Sequence, residues 1–155
     1  MAIEIEHKYL VDMNLWKLVK PEKSVDIKQA YLLTDPDKTI RVRTKGAQGY
    51  ITIKGRAVAS SRPEFEYEIP LEDAHELIRY FCTNLVEKTR HLVTFEGKTW
   101  EVDEFHGANN GLMVAEIELN AEDEVYAKPA WVGNNVTADS RYANSQLAVK
   151  PFMSW

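Results

Sequence analysis

Through most of the chain, apolar and polar residues alternate with a period of two, the spacing at which successive side chains of a strand face opposite sides. Ile3, Ile5, His7, Tyr9 and Val11 fall on one face, with Glu4, Glu6, Lys8 and Leu10 on the other. The same period sets Ile40 and Val42 against Arg41, Arg43 and Lys45, and Ile51 and Ile53 against Tyr50, Thr52 and Lys54. Gly46 and Gly49 in the short link between these two runs predict a hairpin. Phe65, Tyr67 and Ile69 alternate with Glu64, Glu66 and Glu68 in the cleanest strand of the chain. Residues 25–33, closed by the turn signal Thr34-Asp35-Pro36-Asp37, and residues 85–95, 99–105 and 112–119 complete eight predicted strands. In residues 85–95 the face carrying Lys88 and Arg90 and the face carrying Glu87, Thr89 and His91 are both polar, so the period does not choose the inner one.

Helical spacing is confined to a few stretches. Leu71, Ala74, Leu77, Ile78, Phe81 and Cys82 predict an amphipathic helix over residues 71–84. A short helix is expected over residues 12–20, ended by Pro21. The tail from residue 122 reads as helical in two pieces, broken near Pro129 and the Gly133-Asn134-Asn135 turn. Strands joined by turns, with helices beside them, make an α+β protein built on an antiparallel sheet, open or closed into a barrel.

Composition narrows the class. With 155 residues, 45% hydrophobic and 28% charged, the chain is an ordinary globular protein of one domain's length. A single cysteine, Cys82, excludes a disulfide framework within the chain and any cysteine-based zinc site. The start of the chain carries charge from Glu4 onward and lacks the form of a secretory signal, and no apolar run approaches the roughly 18 residues of a membrane helix. The expected compartment is the cytoplasm, with no membrane partner. Nineteen Lys and Arg against 24 Asp and Glu give a net charge of −5, which argues against nucleic acid as a partner.

The charges gather in same-sign pairs at i, i+2: Glu4 and Glu6, Arg41 and Arg43, Glu66 and Glu68, Lys88 and Arg90, Glu101 and Asp103, Glu116 and Glu118. A solvated sheet face would mix signs singly. Like charges two positions apart on one strand face repel, unless something of opposite charge lies between them. Carboxylate pairs suit Mg²⁺ or Mn²⁺, and arginine pairs suit phosphate oxygens. A site holding both is shaped for a metal-bound polyphosphate.

Glu4-Ile5-Glu6-His7-Lys8 resembles the E-x-E-x-K signature that opens the CYTH domain of the triphosphate tunnel metalloenzymes. It is followed in order by Gln29-Ala30-Tyr31-Leu32, Ile40-Arg41-Val42-Arg43, Thr52-Ile53-Lys54, Glu66-Tyr67-Glu68-Ile69, Glu87-Lys88-Thr89-Arg90, Glu101-Val102-Asp103 and Glu116-Ile117-Glu118-Leu119. The segment Asp139-Ser140-Arg141-Tyr142-Ala143-Asn144, with Leu147-Ala148, is similar to the end of the short bacterial, inorganic triphosphatase-like members. The resemblance implies one CYTH domain over residues 1–155, an eight-stranded antiparallel closed barrel with a charged interior and flanking helices.

By the same resemblance, Glu4, Glu6, Glu116 and Glu118 are metal ligands for Mg²⁺ or Mn²⁺. Lys8, Arg41, Arg43, Lys88 and Arg90 grip the triphosphate, and Lys54 with Tyr31 forms the water-activating pair. Glu66, Glu68, Glu101 and Asp103 match acidic positions of the tunnel with less defined roles. The expected activity is metal-dependent hydrolysis of a small-molecule triphosphate, above all inorganic tripolyphosphate, with release of phosphate. The alternatives are a class IV-type adenylyl cyclase, a nucleoside or thiamine triphosphatase, and a non-enzymatic polyphosphate or nucleotide sensor. Retention of all four candidate ligand glutamates favours an enzyme, since an anion receptor gains nothing from carboxylates beside its ligand.

The remaining chemistry-bearing residues read as structural. His7, His75, His91 and His106 show no metal-ligand spacing, and Cys82 sits on the apolar stripe of its helix as a core residue. Trp16, Trp100, Trp131 and Trp155 are read as packing. The glycines at 46, 49, 107 and 111 belong to turns, and neither glycine-containing turn has the Gly-Lys-Ser/Thr end of a P-loop.

Overall fold

In the computed structural model, which describes residues 3–155, β1 (Ile3–Val11) is followed by a meander of β2 (Lys23–Asp35), β3 (Lys38–Lys45), β4 (Gln48–Gly55) and β5 (Ser61–Ile69). Met1 and Ala2, part of the segment read above for a leader, lie outside the described residues. After α2 (Leu71–Phe81; α1 is Met13–Trp16) come β6 (Leu85–Phe95), β7 (Lys98–Phe105) and β8 (Met113–Glu118). A short β9 (Val132–Asn135) and α3 (Asn144–Val149) end the chain.

β6 returns to pair with β2, and β1 pairs with both β8 and β5, so β1 to β8 form a closed antiparallel ring in the order β1-β5-β4-β3-β2-β6-β7-β8. Closure is short, resting on Ile3↔Pro63, Glu4↔Arg62 and Ile5↔Ser61. Further along the same edge β1 exchanges β5 for β9, which meets Tyr9 and Val11. Between the two partners the edge is held by single bonds: the Glu6 amide donates to Ser60 O at 3.1 Å and the Lys8 amide to Thr137 Oγ1 at 3.0 Å.

With the ring closed, the period of two becomes an inside and an outside. The outer faces of β1, β7 and β8 carry Tyr9, Trp100, Val102, Ala115 and Ile117, buried under Trp131 and the chain around it. Trp16 and Trp100 both meet Trp131 edge-on, at ring distances of 5.0 and 5.9 Å. α2 packs against β3 and β4, where a side chain on Gly49 would place its Cβ 2.8 Å from that of Ala74. A second apolar cluster fills one end of the interior: Val86, Phe105 and Val114 meet Tyr142, Leu147 and Ala148 of the terminal segment. Those barrel residues share lumen faces with Lys88, Asp103 and Glu116, two positions along each strand.

Several expectations are corrected. The helix expected over residues 12–20 shrinks to Met13–Trp16, capped by Asp12 Oδ1 on the amides of Asn14 and Leu15. Leu18, which would have extended its apolar stripe, faces solvent. α2 stops at Phe81, and Cys82 is half-buried in extended backbone beyond its end, not a core residue. The tail is mostly irregular: residues 132–135 form β9 because β1 offers an unpaired edge there, and only Asn144–Val149 is α-helical. Among the described residues no helix is long and apolar enough to cross a membrane.

Candidate active site

The barrel encloses a cavity of about 240 Å³ lined almost wholly by ionisable side chains. Strand period and register explain how they meet. Arg41, Arg43 and Lys45 project inward from β3, Lys54 from β4, Lys88 and Arg90 from β6, and Glu4, Glu6 and Lys8 from β1. Glu116 and Glu118 come from β8, directly opposite Lys8 and Glu6 across the β1–β8 ladder. Thus β6 turns Lys88 and Arg90 inward and its other polar face, Glu87, Thr89 and His91, outward.

Each buried cation is tied to a carboxylate, since an unpaired charge there would be strongly disfavoured. Arg41 and Arg43 share one oxygen of Glu66, at 3.2 and 3.3 Å, and Thr52 donates to the same oxygen at 2.8 Å. Lys54 lies 3.1 Å from Glu4 and 3.2 Å from Glu64. Lys88 lies 2.8 Å from Asp103 and donates to Asn144 Oδ1 at 2.9 Å. Lys8 stands between Glu6 and Glu116, at 3.7 and 3.9 Å.

The pairing is lopsided. Two arginines share one carboxylate, and burial together with Arg41 pushes the Arg43 guanidinium down to about 10. Burial, then Arg43, lowers the Lys45 ammonium, and burial pushes Lys88 down to about 8. The Nε atoms of Arg41 and Arg43 are buried without a partner among the described residues. This side of the cavity carries more positive charge than its acids balance, which favours an anion.

The β1–β8 side shows the opposite surplus. Burial raises the Glu116 carboxyl, with Glu6 adding to it, and burial followed by Glu101 and Glu4 raises Glu118. Glu4 is raised by burial and by its hydrogen bond with Glu64. Crowded carboxylates are hard oxygen donors, and a divalent cation would relieve their repulsion, so the donor set fits such an ion. Among the described residues no three potential ligands converge on one point, because Lys54 draws Glu4 aside and Lys8 stands between Glu6 and Glu116.

Tyr31 and Lys54 both line the cavity but are not bonded to each other: the Tyr31 oxygen accepts from Gln29 Nε2 at 2.9 Å. Glu66 and Glu101 stand at the rim. Asp103 lies behind the lining, fully buried, and Glu68 is exposed and outside the lining, because β5 has left the lumen by that point. The four histidines lie outside the lining as well. Residues that the sequence reading missed include Lys45 and Glu64, each two positions from a recognised charge on the same face, and Arg62, two positions beyond Glu64. Asn144 and Ser145 gave no periodic signal.

The CYTH domain model matches residues 2–148. An inorganic triphosphatase of Acetivibrio thermocellus is 46% identical over 156 residues, covering 100% of this chain and 99% of that protein. One from Nitrosomonas europaea is 34% identical over 154 residues, covering 94% and 97%. A crystal structure of an inorganic triphosphatase superposes with a TM-score of 0.66 at 32% identity, covering 96% of each chain. The family match spans all eight strands that build the cavity, and the chain belongs to the CYTH domain family.

Proposed function

We propose that the protein is a metal-dependent triphosphatase that hydrolyses inorganic tripolyphosphate to orthophosphate and pyrophosphate. The observation that carries this reading is the shared carboxylate of Arg41 and Arg43, an unbalanced cation pair inside a closed, charged cavity. Two relatives that match nearly end to end carry the name inorganic triphosphatase, which supports it.

Lys8, Arg41, Arg43, Lys88 and Arg90 bind the phosphate oxygens, with Arg62 and Lys45 adding charge at the edge. Glu66 releases the arginine pair as the polyanion takes its place, while Asp103 and Glu101 keep Arg90 in position. The family is in general dependent on a divalent metal. Glu4, Glu6, Glu116 and Glu118 would hold Mg²⁺ or Mn²⁺, which when bound supplies charge neutralisation at the phosphoryl oxygens. Lys54 and Tyr31 orient the attacking water from two sides. Because the Tyr31 oxygen already accepts from Gln29, its own proton is available to donate.

The lining is almost wholly ionisable or polar, with Tyr31 its one aromatic residue among the described residues, so tripolyphosphate is favoured over ATP and hydrolysis over cyclisation. We place the protein in the cytoplasm as one domain, in keeping with its free Cys82. Phosphate release from tripolyphosphate is to be measured with Mg²⁺, with Mn²⁺ and with EDTA. Turnover that stops in EDTA and returns with either metal is expected. Equal turnover in EDTA overturns the metal dependence.

A further inference from the structure

All residues lining the cavity project from the eight barrel strands except Asn144 and Ser145 of α3. Behind them Leu147 and Ala148 anchor α3 in the apolar cluster with Val86, Phe105 and Val114. Side-chain exposure falls from 30% at Glu66 and 21% at Glu101 to 1% at Lys88, so the cavity has a rim and a floor, with Lys88 at the floor and the half-buried Asn144 hydrogen-bonded to it. A phosphate chain reaching Asn144 meets an apolar wall beyond it.

The hydrogen bond from Lys88 Nζ to Asn144 Oδ1, at 2.9 Å, fixes the amide's orientation. An ammonium group can only donate, so the amide oxygen must face it and the two N–H donors of Nδ2 must face away. Among the described residues Nδ2 has no partner, and neither has the Ser145 hydroxyl. Lys88, Asn144 and Ser145 thus present three donor groups together, two of them neutral. A terminal phosphoryl group carries three non-bridging oxygens, whereas an internal one carries two.

We propose that Asn144, with Ser145, binds the terminal phosphoryl group of the substrate, so that the protein accepts only phosphate chains with a free end. The inference rests on the triphosphatase reading and narrows its substrate class. Linear tripolyphosphate and triphosphate monoesters enter end first. Cyclic trimetaphosphate and triphosphates esterified at both ends present no terminal group to the floor and are excluded.

The test compares Asn144→Ala with Asn144→Asp, alongside inhibition of the wild-type protein by trimetaphosphate and a dimethyl diester of triphosphate. Aspartate keeps the size and still accepts from Lys88, but it removes both N–H donors and sets a negative charge against the phosphate. Loss of a donor to a charged group costs about tenfold in kcat/KM for Asn144→Ala, and about 100-fold is expected for Asn144→Asp. Both inhibitors should bind at least about 100-fold more weakly than tripolyphosphate. Asn144→Asp that binds tripolyphosphate as well as wild type, or Asn144→Ala that leaves kcat/KM unchanged, overturns the proposal. So does a diester that competes on equal terms, a comparison that needs no variant. A wild-type protein that leaves tripolyphosphate uncleaved overturns the triphosphatase reading instead, while calorimetric binding of the same compounds still decides the role of Asn144.

Discussion

Arg90 grips Asp103 with both prongs of its guanidinium, Nε to Oδ1 at 2.8 Å and Nη2 to Oδ2 at 2.9 Å, at a site where the carboxylate is fully buried. The two residues are direct cross-strand partners on β6 and β7, so the sheet register itself delivers the geometry. The second oxygen of Asp103 also meets Lys88 at 2.8 Å. Although burial works against the anion, Arg90 and Lys88 hold the Asp103 carboxyl well below the usual carboxylate range. One acid therefore orders two of the cations that line the cavity.

It follows that Asp103→Asn leaves two buried cations short of charge. Breaking a buried pair from one side costs about 3–5 kcal/mol, and chemical denaturation should show a loss of that order. KM for tripolyphosphate should rise as Lys88 and Arg90 lose their fixed directions. A variant as stable as wild type would remove Asp103 from this role.

Binding should take up protons above neutral pH. In the free protein burial holds Lys88 at about 8, whereas a bound polyanion beside it favours the ammonium form and raises that value. Between the two values the free lysine has lost its proton and the bound one keeps it. Affinity should accordingly fall as pH rises through about 8, and calorimetry near pH 9 in two buffers of different ionisation enthalpy should report net uptake. Proton release at that pH would contradict the assignment of Lys88 to the phosphate chain.

Glu66 offers a change of opposite sign in stability and binding. Burial tends to raise its carboxyl, but Arg43, Thr52 and Arg41 together hold it low, so it stabilises the pair it shares. Glu66→Gln should lower Tm by a few degrees, since about 1 kcal/mol corresponds to roughly 2–4 °C in a chain of this size. Tripolyphosphate should bind as tightly as to wild type or more so, because a competing anion has gone. Weaker binding would make Glu66 a direct participant.

Lys54 and Tyr31 reach the lumen from different strands without touching, so any coupling between them runs through what lies between. If both orient one water, Lys54→Ala and Tyr31→Phe should each lower kcat, and the double variant should lose little more than the worse single one. Additive losses confined to KM would make Lys54 one more phosphate clamp.

Much of this site is legible in the amino-acid sequence. The i, i+2 spacing of Arg41 with Arg43, and of Glu116 with Glu118, is a property of extended backbone and survives folding unchanged. What spacing cannot carry is which face closes inward, and in β6 both faces are polar, so only closure of the ring decides that Lys88 and Arg90 point into it. Glu64, Glu66 and Glu68 share one alternation, yet Glu64 bonds Lys54 while Glu68 ends in solvent, because strand curvature, not period, sets where the lumen stops. The tail misleads for a similar reason. Residues 132–135 are extended because the free edge of β1 needs partners, a demand located more than 100 residues away in sequence.

Binding and cleavage of a triphosphate by this cavity are read out by following tripolyphosphate and ATP by ³¹P NMR with the wild-type protein and Mg²⁺. Orthophosphate and pyrophosphate should grow in equal amounts as tripolyphosphate disappears, faster than any change in ATP. Unchanged tripolyphosphate, or ATP converted to cyclic AMP and pyrophosphate at a higher rate, would contradict the triphosphatase reading.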